Sequence, residues 1–416
     1  MIRAVSAPEP PDADRLAAVR AALPALDAGI YLNTGSVGPL PAETAAAMAD
    51  MADYELRTGR AHQDYYEESL QRMAEARAAA AAVLTADVDD IALMHSTTDG
   101  MNLGVWGIDW RRGDRAVTTS LEHAGGVGGL YNLRARLGID LAFVDAGPSR
   151  SEGDVLEAFD QAIDERTRAV VVSHVLWATG TVLPLARIAE IARARGALLI
   201  VDGAQAVGAI PVDLAATGAD VYAIAAQKWL LGPEGMAAVA IAPSARERLV
   251  PSYGGWYTFE SVDSTGTAVW WPDARRFESS NWHRPSIVGM ARSIGWLSMF
   301  VGLDWIHERG TAMARSAAER LAAIDGVELV TPLDRMATLV SFRIRGWTPD
   351  AALDELGARV FAVARTIPMI DALRISVGFF TSQAEIDRFV DAVALLAAHT
   401  PDTIPPRRTL TILSGG

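Results

Sequence analysis

A chain of 416 residues, half of them hydrophobic, has enough apolar material for one large domain and a smaller companion. Its formal net charge of −14 disfavours nucleic acid as a partner, and charged residues or turn formers interrupt every apolar run before membrane-spanning length. Cysteine is absent, which excludes disulfides, thiolate metal sites and a protein thiol nucleophile. We therefore expect no metal site and neither nucleic acid nor a membrane as a partner.

The N-terminal segment, residues 1–30, opens with MIRAVSAPEPPDADR, which is rich in Pro, Ala and Asp and lacks the apolar stretch of a signal peptide. We expect residues 1–15 to be a short disordered lead-in and residues 1–30 to pack with the smaller domain. A cytoplasmic location is the expectation that follows.

A large domain is predicted over residues 31–285. It begins with a strand and turn (31–41), then one helix from Ala42 to near Ser69 and a second over 71–84. Apolar strand-like runs then alternate with amphipathic helical segments, which is the βαβ pattern. The runs are DIALMHS (90–96), RAVTTS (115–120), DLAFVDA (140–146), RAVVVSHV (168–175), ALLIVDG (197–203) and DVYAIAA (220–226). Because such runs have no polar face, we expect an α/β fold with a mainly parallel sheet between helices, and a ligand site at the carboxyl ends of its strands.

Residues 286–416 are predicted to form a separate, smaller α+β domain. A Trp-rich loop (253–283) precedes a long helix over about 286–325, and the strand-like runs TLVSFRI and LRISVGFF flank a polar helix. A final helix ends near His399, and the tail is irregular.

Lys228 is the only lysine in the chain. It lies in AIAAQKWLLGPEG, directly beyond an apolar run, where an ammonium group is poorly solvated. Chance retention on the surface is the alternative. Desolvation lowers the pKa of an amine, which suits a group that forms an imine and moves a proton at Cα.

Asp202 directly follows ALLIV, so it lies at the carboxyl end of a buried strand, on the same sheet edge as Lys228. A buried carboxylate requires a positive partner, and the pyridinium nitrogen of pyridoxal 5′-phosphate (PLP) is one. Gln205, three residues on, is placed to reach the phenolic oxygen of that cofactor. The alternative is that Asp202 caps the next helix.

Two further segments are candidates for the cofactor site. MHSTTDGMN (94–102) places small hydroxyl residues where a strand becomes a helix, and the free N–H groups of a helix N-terminus bind phosphate; an ordinary N-cap is the alternative. His123 precedes GGVGG (125–129). Its flat ring would stack on a cofactor; otherwise it is a lone loop histidine.

The order of the motifs STTDG, EH, SHV…TG, VDGAQAVGAIPVD and QKW-x-x-GPEG resembles the class V aminotransferase family. This is the fold-type-I PLP group that includes cysteine desulfurases, kynureninase and isopenicillin N epimerase. The resemblance spans about residues 30–390. It implies a large domain with a mainly parallel, seven-stranded-type sheet, PLP as the cofactor, a small amino-acid-like substrate, and a homodimer with shared active sites.

The resemblance also implies roles for individual residues. The matched positions are Lys228 for the Schiff base with PLP, Asp202 for the pyridine nitrogen, Gln205 for the phenolic oxygen, His123 for stacking on the ring, and Thr97 and Thr98 for the phosphate.

Other positions match the family less closely. Arg374 in LRISVGFF matches the arginine that binds the substrate carboxylate, with a surface or salt-bridged arginine as the alternative. Ser280 in RFESSN replaces a threonine that reaches the phosphate of the neighbouring subunit's cofactor. Asn33 matches a substrate-facing loop, or forms a plain turn. Gln227 stands where relatives often have His and still can donate to phosphate, and Trp177 stands near the cofactor where desulfurases have Asn.

Aromatic residues of the Trp-rich loop are expected to wall the pocket, with core packing as the alternative. They are Trp256, Tyr257, Trp270 and Trp271.

The sequence leaves the reaction open, because the protein decides which Cα bond of a PLP substrate breaks. Cysteine desulfuration in this family requires a protein cysteine as sulfur acceptor, so we exclude it. Transamination or epimerisation is the first expectation, and elimination at Cβ, such as C–S cleavage, is the alternative. A catalytically silent PLP-fold binding protein is a third reading, against which the retained lysine argues. A nicotinamide-dependent oxidoreductase is disfavoured, because no G-x-G-x-x-G motif follows an early strand with an acidic residue about 20 positions later.

Overall fold

The computed structural model describes residues 12–279 and 281–407. Its strands are β1 (Ile30–Tyr31), β2 (Ile91–Met94), β3 (Arg115–Thr119), β4 (Asp140–Val144), β5 (Thr167–Ser173), β6 (Leu198–Asp202), β7 (Val221–Ala225), β8 (Ala237–Ile241), β9 (Phe259–Val262), β10 (Ala268–Trp270), β11 (Val327–Leu329), β12 (Leu339–Ile344), β13 (Ala362–Val363), β14 (Arg365–Ile367) and β15 (Ala372–Ser376).

The α-helices alternate with these strands through the first half of the chain. They are α1 (Asp12–Ala21), α2 (Ala42–Thr58), α3 (Gln63–Leu84), α4 (Thr97–Trp106), α5 (Ala124–Leu137), α6 (Glu152–Ala162), α7 (Leu185–Ala194), α8 (Leu214–Thr217), α9 (Pro243–Arg246), α10 (Arg284–Gly295), α11 (Leu303–Ala322), α12 (Pro349–Val360) and α13 (Gln383–Ala397).

The central sheet has seven strands in the order β2-β8-β7-β6-β5-β3-β4, and all neighbouring pairs are parallel except the two that β8 makes. Helices α4 and α5 pack on one face, and α3, α6 and α7 pack on the other. Every residue of β6, β7 and β8 is buried, as expected of strands covered on both sides. The predicted α/β fold with a mainly parallel, seven-stranded sheet is confirmed.

The C-terminal part of the chain forms an antiparallel sheet in the order β11-β12-β15-β14, with α11, α12 and α13 packed against it. Strand β1 pairs in parallel with β13, so the chain passes through this smaller unit before it enters the large sheet. The guanidinium of Arg20 in α1 donates to the carboxylate of Glu385 in α13 at 2.8 Å. The N-terminal segment thus contacts the smaller unit at Glu385, while Val19, Leu23 and Leu26 pack in the core cluster of the large sheet.

Several boundaries differ from the sequence expectation, and the helix predicted over 71–84 begins at Gln63. Helix α1 begins at Asp12, inside the segment predicted to be disordered. The helix predicted over 42–69 ends at Thr58, because Gly59 has a φ of +76°. The helix predicted over 286–325 bends by 84° between Val301 and Leu303, because Gly302 has a φ of +92° that interrupts the helix after a π-helical turn. The apolar periodicity continues across the bend, so the pattern does not reveal it.

Among the residues described, no single helix is both long and apolar enough to cross a membrane; Arg284–Val301 and Leu303–Ala322 meet that criterion only when counted together, across their bend.

Candidate active site

A cavity of about 250 Å³ opens at the carboxyl edge of the central sheet, where the loops after β2, β3, β6 and β7 meet the antiparallel sheet of the smaller unit. Its lining brings together most of the residues predicted from the sequence. These are Thr97, Thr98, His123, Trp177, Asp202, Gln205, Gln227, Lys228 and Arg374.

Lys228 lies three residues beyond β7, in a turn. Its backbone carbonyl accepts a hydrogen bond from the amide of Leu231. The side chain is half-buried and faces the cavity. Burial lowers the pKa of its ammonium group, and the positive charges of Arg374 and Arg365 lower it further, whereas Asp202 opposes the shift. The site therefore makes the neutral, nucleophilic form of the amine easier to reach than it is for a lysine in water.

Asp202 is the last residue of β6 and lies between Ser173 of β5 and Ala223 of β7. Its Oδ1 accepts a hydrogen bond from the amide of Ala204 at 2.9 Å, within the turn after β6; the next helix, α8, is capped by Asp213, so Asp202 is not a helix cap. No hydrogen bond to Oδ2 exists within the described residues, and this oxygen would lie 3.1 Å from a Cβ placed on Gly126. One carboxylate oxygen is thus held by the backbone, and the other is left for a cation in the cavity.

His123 caps α5: its Nδ1 accepts a hydrogen bond from the amide of Gly125 at 3.1 Å. The ring meets that of Trp177 edge-on, with the centroids 5.2 Å apart. Burial lowers the pKa of the imidazole, with a further lowering from Lys228. A neutral ring on the wall of the cavity is suited to stacking on a flat ligand, as the resemblance implies.

The N-terminus of α4 provides the anion-binding end of the cavity. Ser96 caps this helix by accepting the amide of Asp99, and Thr97 and Thr98 form its first turn. The first amides of a helix have no acceptor inside it, and they attract phosphate. A Cβ on Gly125 would lie 2.6 Å from Oγ1 of Thr98, so only glycine lets α5 approach this turn so closely.

Gln205 is fixed at both ends of its amide. Nε2 donates to the carbonyl of Gly35 at 2.8 Å, and Oε1 accepts from the indole of Trp229 at 2.9 Å. One N–H of Gln205 is therefore engaged with the loop after β1, and the second N–H remains to serve the predicted contact with the cofactor.

Arg374 lies in the middle of β15 and is completely buried. Its Nη1 donates to the carbonyl of Trp177 at 2.7 Å, whereas Nε and Nη2 are buried without a hydrogen-bond partner in the described structure. Burial lowers the pKa of the guanidinium to about 9, with a smaller contribution from Arg365. A buried cation with two free donors on a cavity is what a substrate carboxylate requires.

Arg365, Ser36 and Gly35 also line the cavity and were not predicted from the sequence. Arg365 is the register partner of Arg374 on the neighbouring strand β14, and its Nη1 donates to the hydroxyl of Ser36 at 3.2 Å. No motif marks this arginine, because its position depends on the β14–β15 pairing. Arg365 can be assigned to the site once the pairing of β14 with β15 is known.

Three predictions need comment. Asn33 does not line the cavity: its Oδ1 accepts from Ser36, and Ser36 takes the cavity-facing position of the same loop. Ser280 lies outside the described residues. Trp177 does line the cavity, and its indole N–H is buried without a partner in the part of the chain described.

The aromatic residues expected to wall the pocket lie elsewhere. Trp256 and Tyr257 line a separate cavity with Tyr65 and Arg284, and Trp256 is 73% exposed. Trp270 is on the outer hairpin β9–β10 and is also exposed. None of the four aromatic residues, Trp271 included, lines the cavity, and Tyr257 packs against the edge of the main core instead.

A lysine, a carboxylate and a histidine at the carboxyl edge of a doubly covered, mainly parallel sheet, with a helix N-terminus for a phosphate, define a PLP-dependent enzyme of fold type I. The chain belongs to the class V aminotransferase family, whose model, described as Aminotransferase class-V, matches residues 30–389. PLP is its cofactor. The unpartnered Asp202 oxygen and the free first-turn amides of α4 fit the positive ring nitrogen and the phosphate of PLP.

Curated relatives differ in the reaction they are named for. A probable cysteine desulfurase of Methanothermobacter thermautotrophicus is 30% identical over 334 residues, covering 80% of this chain and 82% of that protein. The isopenicillin N epimerase of Streptomyces clavuligerus is 29% identical over 388 residues, covering 89% and 95%.

Solved structures with the same fold include the cystine C–S lyase C-DES in complex with its reaction product, cysteine persulfide. That structure matches with a TM-score of 0.85 and 26% identity, over 89% of this chain and 99% of that one. A C-DES variant with glycine covalently linked to the PLP cofactor matches equally well, with a TM-score of 0.85.

Proposed function

We propose that this chain is a PLP-dependent lyase that eliminates a sulfur leaving group from Cβ of an amino acid carrying a second carboxylate. The observation that carries the proposal is the pair of arginines, Arg365 and Arg374, on the same cavity as Lys228. Arg374 binds the α-carboxylate through its free Nε and Nη2 donors. Arg365 binds the distal carboxylate, since guanidinium groups favour such planar anions.

Each cavity residue then has one task. When bound, PLP withdraws electrons from Cα and so weakens the Cα–H bond. The pKa of Lys228 is lowered by burial, so its amine is a suitable base for the Cα proton. Asp202 would hold the positive ring nitrogen of the cofactor, and His123 would cover the ring.

Elimination at Cβ is favoured by two further facts. The chain has no cysteine, so it offers no protein thiol to accept sulfur as a desulfurase of this family requires. A solved structure that matches this chain over 99% of its own length is that of a cystine C–S lyase. Cystine has two carboxylates, and its elimination with one water yields pyruvate, ammonia and cysteine persulfide.

Epimerisation at Cα is the second candidate, because one relative with 95% of its length covered is an isopenicillin N epimerase. It uses the same carboxylate contacts and the same base at Cα, but no bond at Cβ breaks and the proton returns to Cα on the opposite face. Transamination, the expectation attached to the family name, is the third outcome that the experiment must separate.

The test is incubation of the PLP-loaded protein with L-cystine in deuterated water, followed by product analysis. We expect pyruvate, ammonia and cysteine persulfide in equal amounts, and no product from the Lys228→Ala variant. Recovered amino acid with deuterium at Cα and inverted configuration would replace elimination by epimerisation. A keto acid that retains the sulfur, with the amino group left on the cofactor, would replace it by transamination.

We further propose a homodimer with shared active sites. It is supported by exposed apolar side chains on α2, on the loop before β9 and on the π-helical turn, among them Leu56, Trp256 and Met299. Such residues are expected at a subunit contact. Light scattering on the purified protein tests it: a mass of twice 44.3 kDa supports the dimer, and a monomer that turns over substrate contradicts it. A cytoplasmic location, and the absence of nucleic-acid and membrane partners, stay predictions.

A further inference from the structure

The carboxylate of Glu122 is buried beside the cofactor cavity and forms no ion pair with any residue of 12–279 or 281–407. Its Oε1 accepts a hydrogen bond from Oγ1 of Thr119 at 2.7 Å. Its Oε2 accepts one from the amide of Ser173 at 2.9 Å and another from the hydroxyl of the same residue. Three donors thus converge on one carboxylate.

These donors belong to strands that hold the active site. Thr119 is the last residue of β3, and Ser173 is the last residue of β5 and the register partner of Asp202. Glu122 itself directly precedes His123, the residue that caps α5. The hydrogen bonds therefore tie the loop that carries His123 to the strand end beside Asp202.

We propose that Glu122 is a positioning residue, whose buried hydrogen bonds hold the His123 ring and the first turn of α5 in the place where the cofactor ring binds. The proposal concerns cofactor binding, so it does not depend on which bond the enzyme breaks. Glu122 does not line the cavity, so it would act on the cofactor only through His123 and the first turn of α5.

The environment of Glu122 is unfavourable for a carboxylate, which argues against a role as simple packing. Burial raises its pKa to about 7, the three hydrogen bonds lower it only in part, and the charge of Asp202 raises it further. An apolar side chain would fill this volume without that desolvation, but it would leave the amide of Ser173 without its acceptor.

The test compares Glu122→Ala, Glu122→Gln and Glu385→Ala. Glu385 is the control, because it is also buried and also accepts the amide and hydroxyl of a serine, Ser382. Unlike Glu122, it pairs with Arg20 and its hydrogen bonds reach neither the loop of His123 nor the strand end beside Asp202. The readouts are the dissociation constant of PLP from the apoprotein and the NMR resonances of the His123 ring, assigned with a His123→Asn variant.

We expect Glu122→Ala to weaken PLP binding by about tenfold or more and to broaden or shift the His123 resonances. Glu122→Gln, which keeps a carbonyl oxygen for the amide of Ser173, should bind PLP within about threefold of the wild type. Glu385→Ala should lower thermal stability and leave both readouts unchanged.

Wild-type PLP affinity and His123 resonances in Glu122→Ala would overturn the proposal, and so would an equal loss of affinity in Glu385→Ala. If Glu122→Ala does not fold, Ser173→Ala removes one hydroxyl donor and keeps the backbone amide. It should move both readouts in the same direction by a smaller amount, and unchanged readouts in a folded Ser173→Ala would overturn the proposal as well.

Discussion

Arg365 and Arg374 lie directly opposite each other on the antiparallel strands β14 and β15, and both line the cavity that contains Lys228. Like charges opposite each other across a strand pair destabilise it. Here the repulsion contributes to the lowered pKa of Arg374, whose Nε and Nη2 have no partner in the described structure. Within residues 12–279 and 281–407, the two cations that line the cavity form no ion pair, and an anionic substrate would bind there.

Removing the buried charge should stabilise the empty protein. For Arg374→Met we expect the free energy of unfolding of the apoprotein to rise by about 1 kcal/mol or more, because an unpaired buried guanidinium is replaced by an apolar chain of similar length. Activity should be lost at the same time. Urea denaturation measures the effect, and a clear loss of stability would mean that its hydrogen bond to Trp177 outweighs the buried charge.

The second arginine should decide substrate choice. Loss of a charged hydrogen bond is worth about 1.5–3 kcal/mol, so Arg365→Gln should lower kcat/KM for cystine by roughly tenfold to a hundredfold. Amino acids with one carboxylate should be little affected. Arg343→Gln, in the same sheet but outside the cavity, is the control. An equal loss of kcat/KM for cystine and for amino acids with one carboxylate would mean that Arg365 does not bind the distal carboxylate.

The single lysine makes the cofactor attachment easy to test. Borohydride reduction of the PLP-loaded protein should add one cofactor per chain by intact mass, located on the peptide that contains Lys228, and none in Lys228→Ala. Turnover in that variant should fall by about 10²–10⁴-fold if Lys228 is the base. Full turnover in Lys228→Ala would refute its catalytic role.

Two glycines of α5 should respond differently to alanine. A Cβ on Gly125 would lie 2.6 Å from Oγ1 of Thr98, whereas a Cβ on Gly128 has nothing within 4 Å. Gly125→Ala should therefore displace the phosphate-binding turn and weaken PLP binding. Gly128→Ala should leave PLP affinity unchanged and stabilise the helix by roughly 0.5–1 kcal/mol. Fluorescence titration and thermal unfolding measure the two effects, and equal PLP affinities would contradict the packing argument.

Glu122 should make the free energy of unfolding fall as the pH rises from about 4.5 to about 7. Burial raises the pKa of this carboxyl from 4.5 to about 7, so between these values the folded protein keeps a proton that the unfolded chain releases. The stabilisation is present below pH 4.5 and is lost as the pH approaches 7, by roughly 3 kcal/mol.

Glu122→Gln carries no such proton, so wild type should lose stability relative to this variant over that range. His174, whose pKa burial lowers to about 4, acts in the opposite direction but is common to both proteins and cancels in the difference. Urea denaturation of both proteins at several pH values measures the difference in their free energies of unfolding. A difference that stays constant with pH would contradict the prediction.

Much of the site follows from strand periodicity in the sequence. Lys228, Asp202 and His123 each come just after an apolar run, and parallel strands place such residues at one edge, where the cavity lies. Arg374 was found by the family motif alone, since the sequence does not show that its strand crosses over to this edge.

Local apolar patterns and neighbours along the chain are enough to predict the central sheet, the edge that carries the chemistry and the lysine on it. The folded structure was needed to show that Arg365 joins Arg374, that Ser36 rather than Asn33 faces the cavity, and that Glu122 connects two strand ends. Those relationships depend on strand register and on contacts between distant segments, which no local pattern encodes.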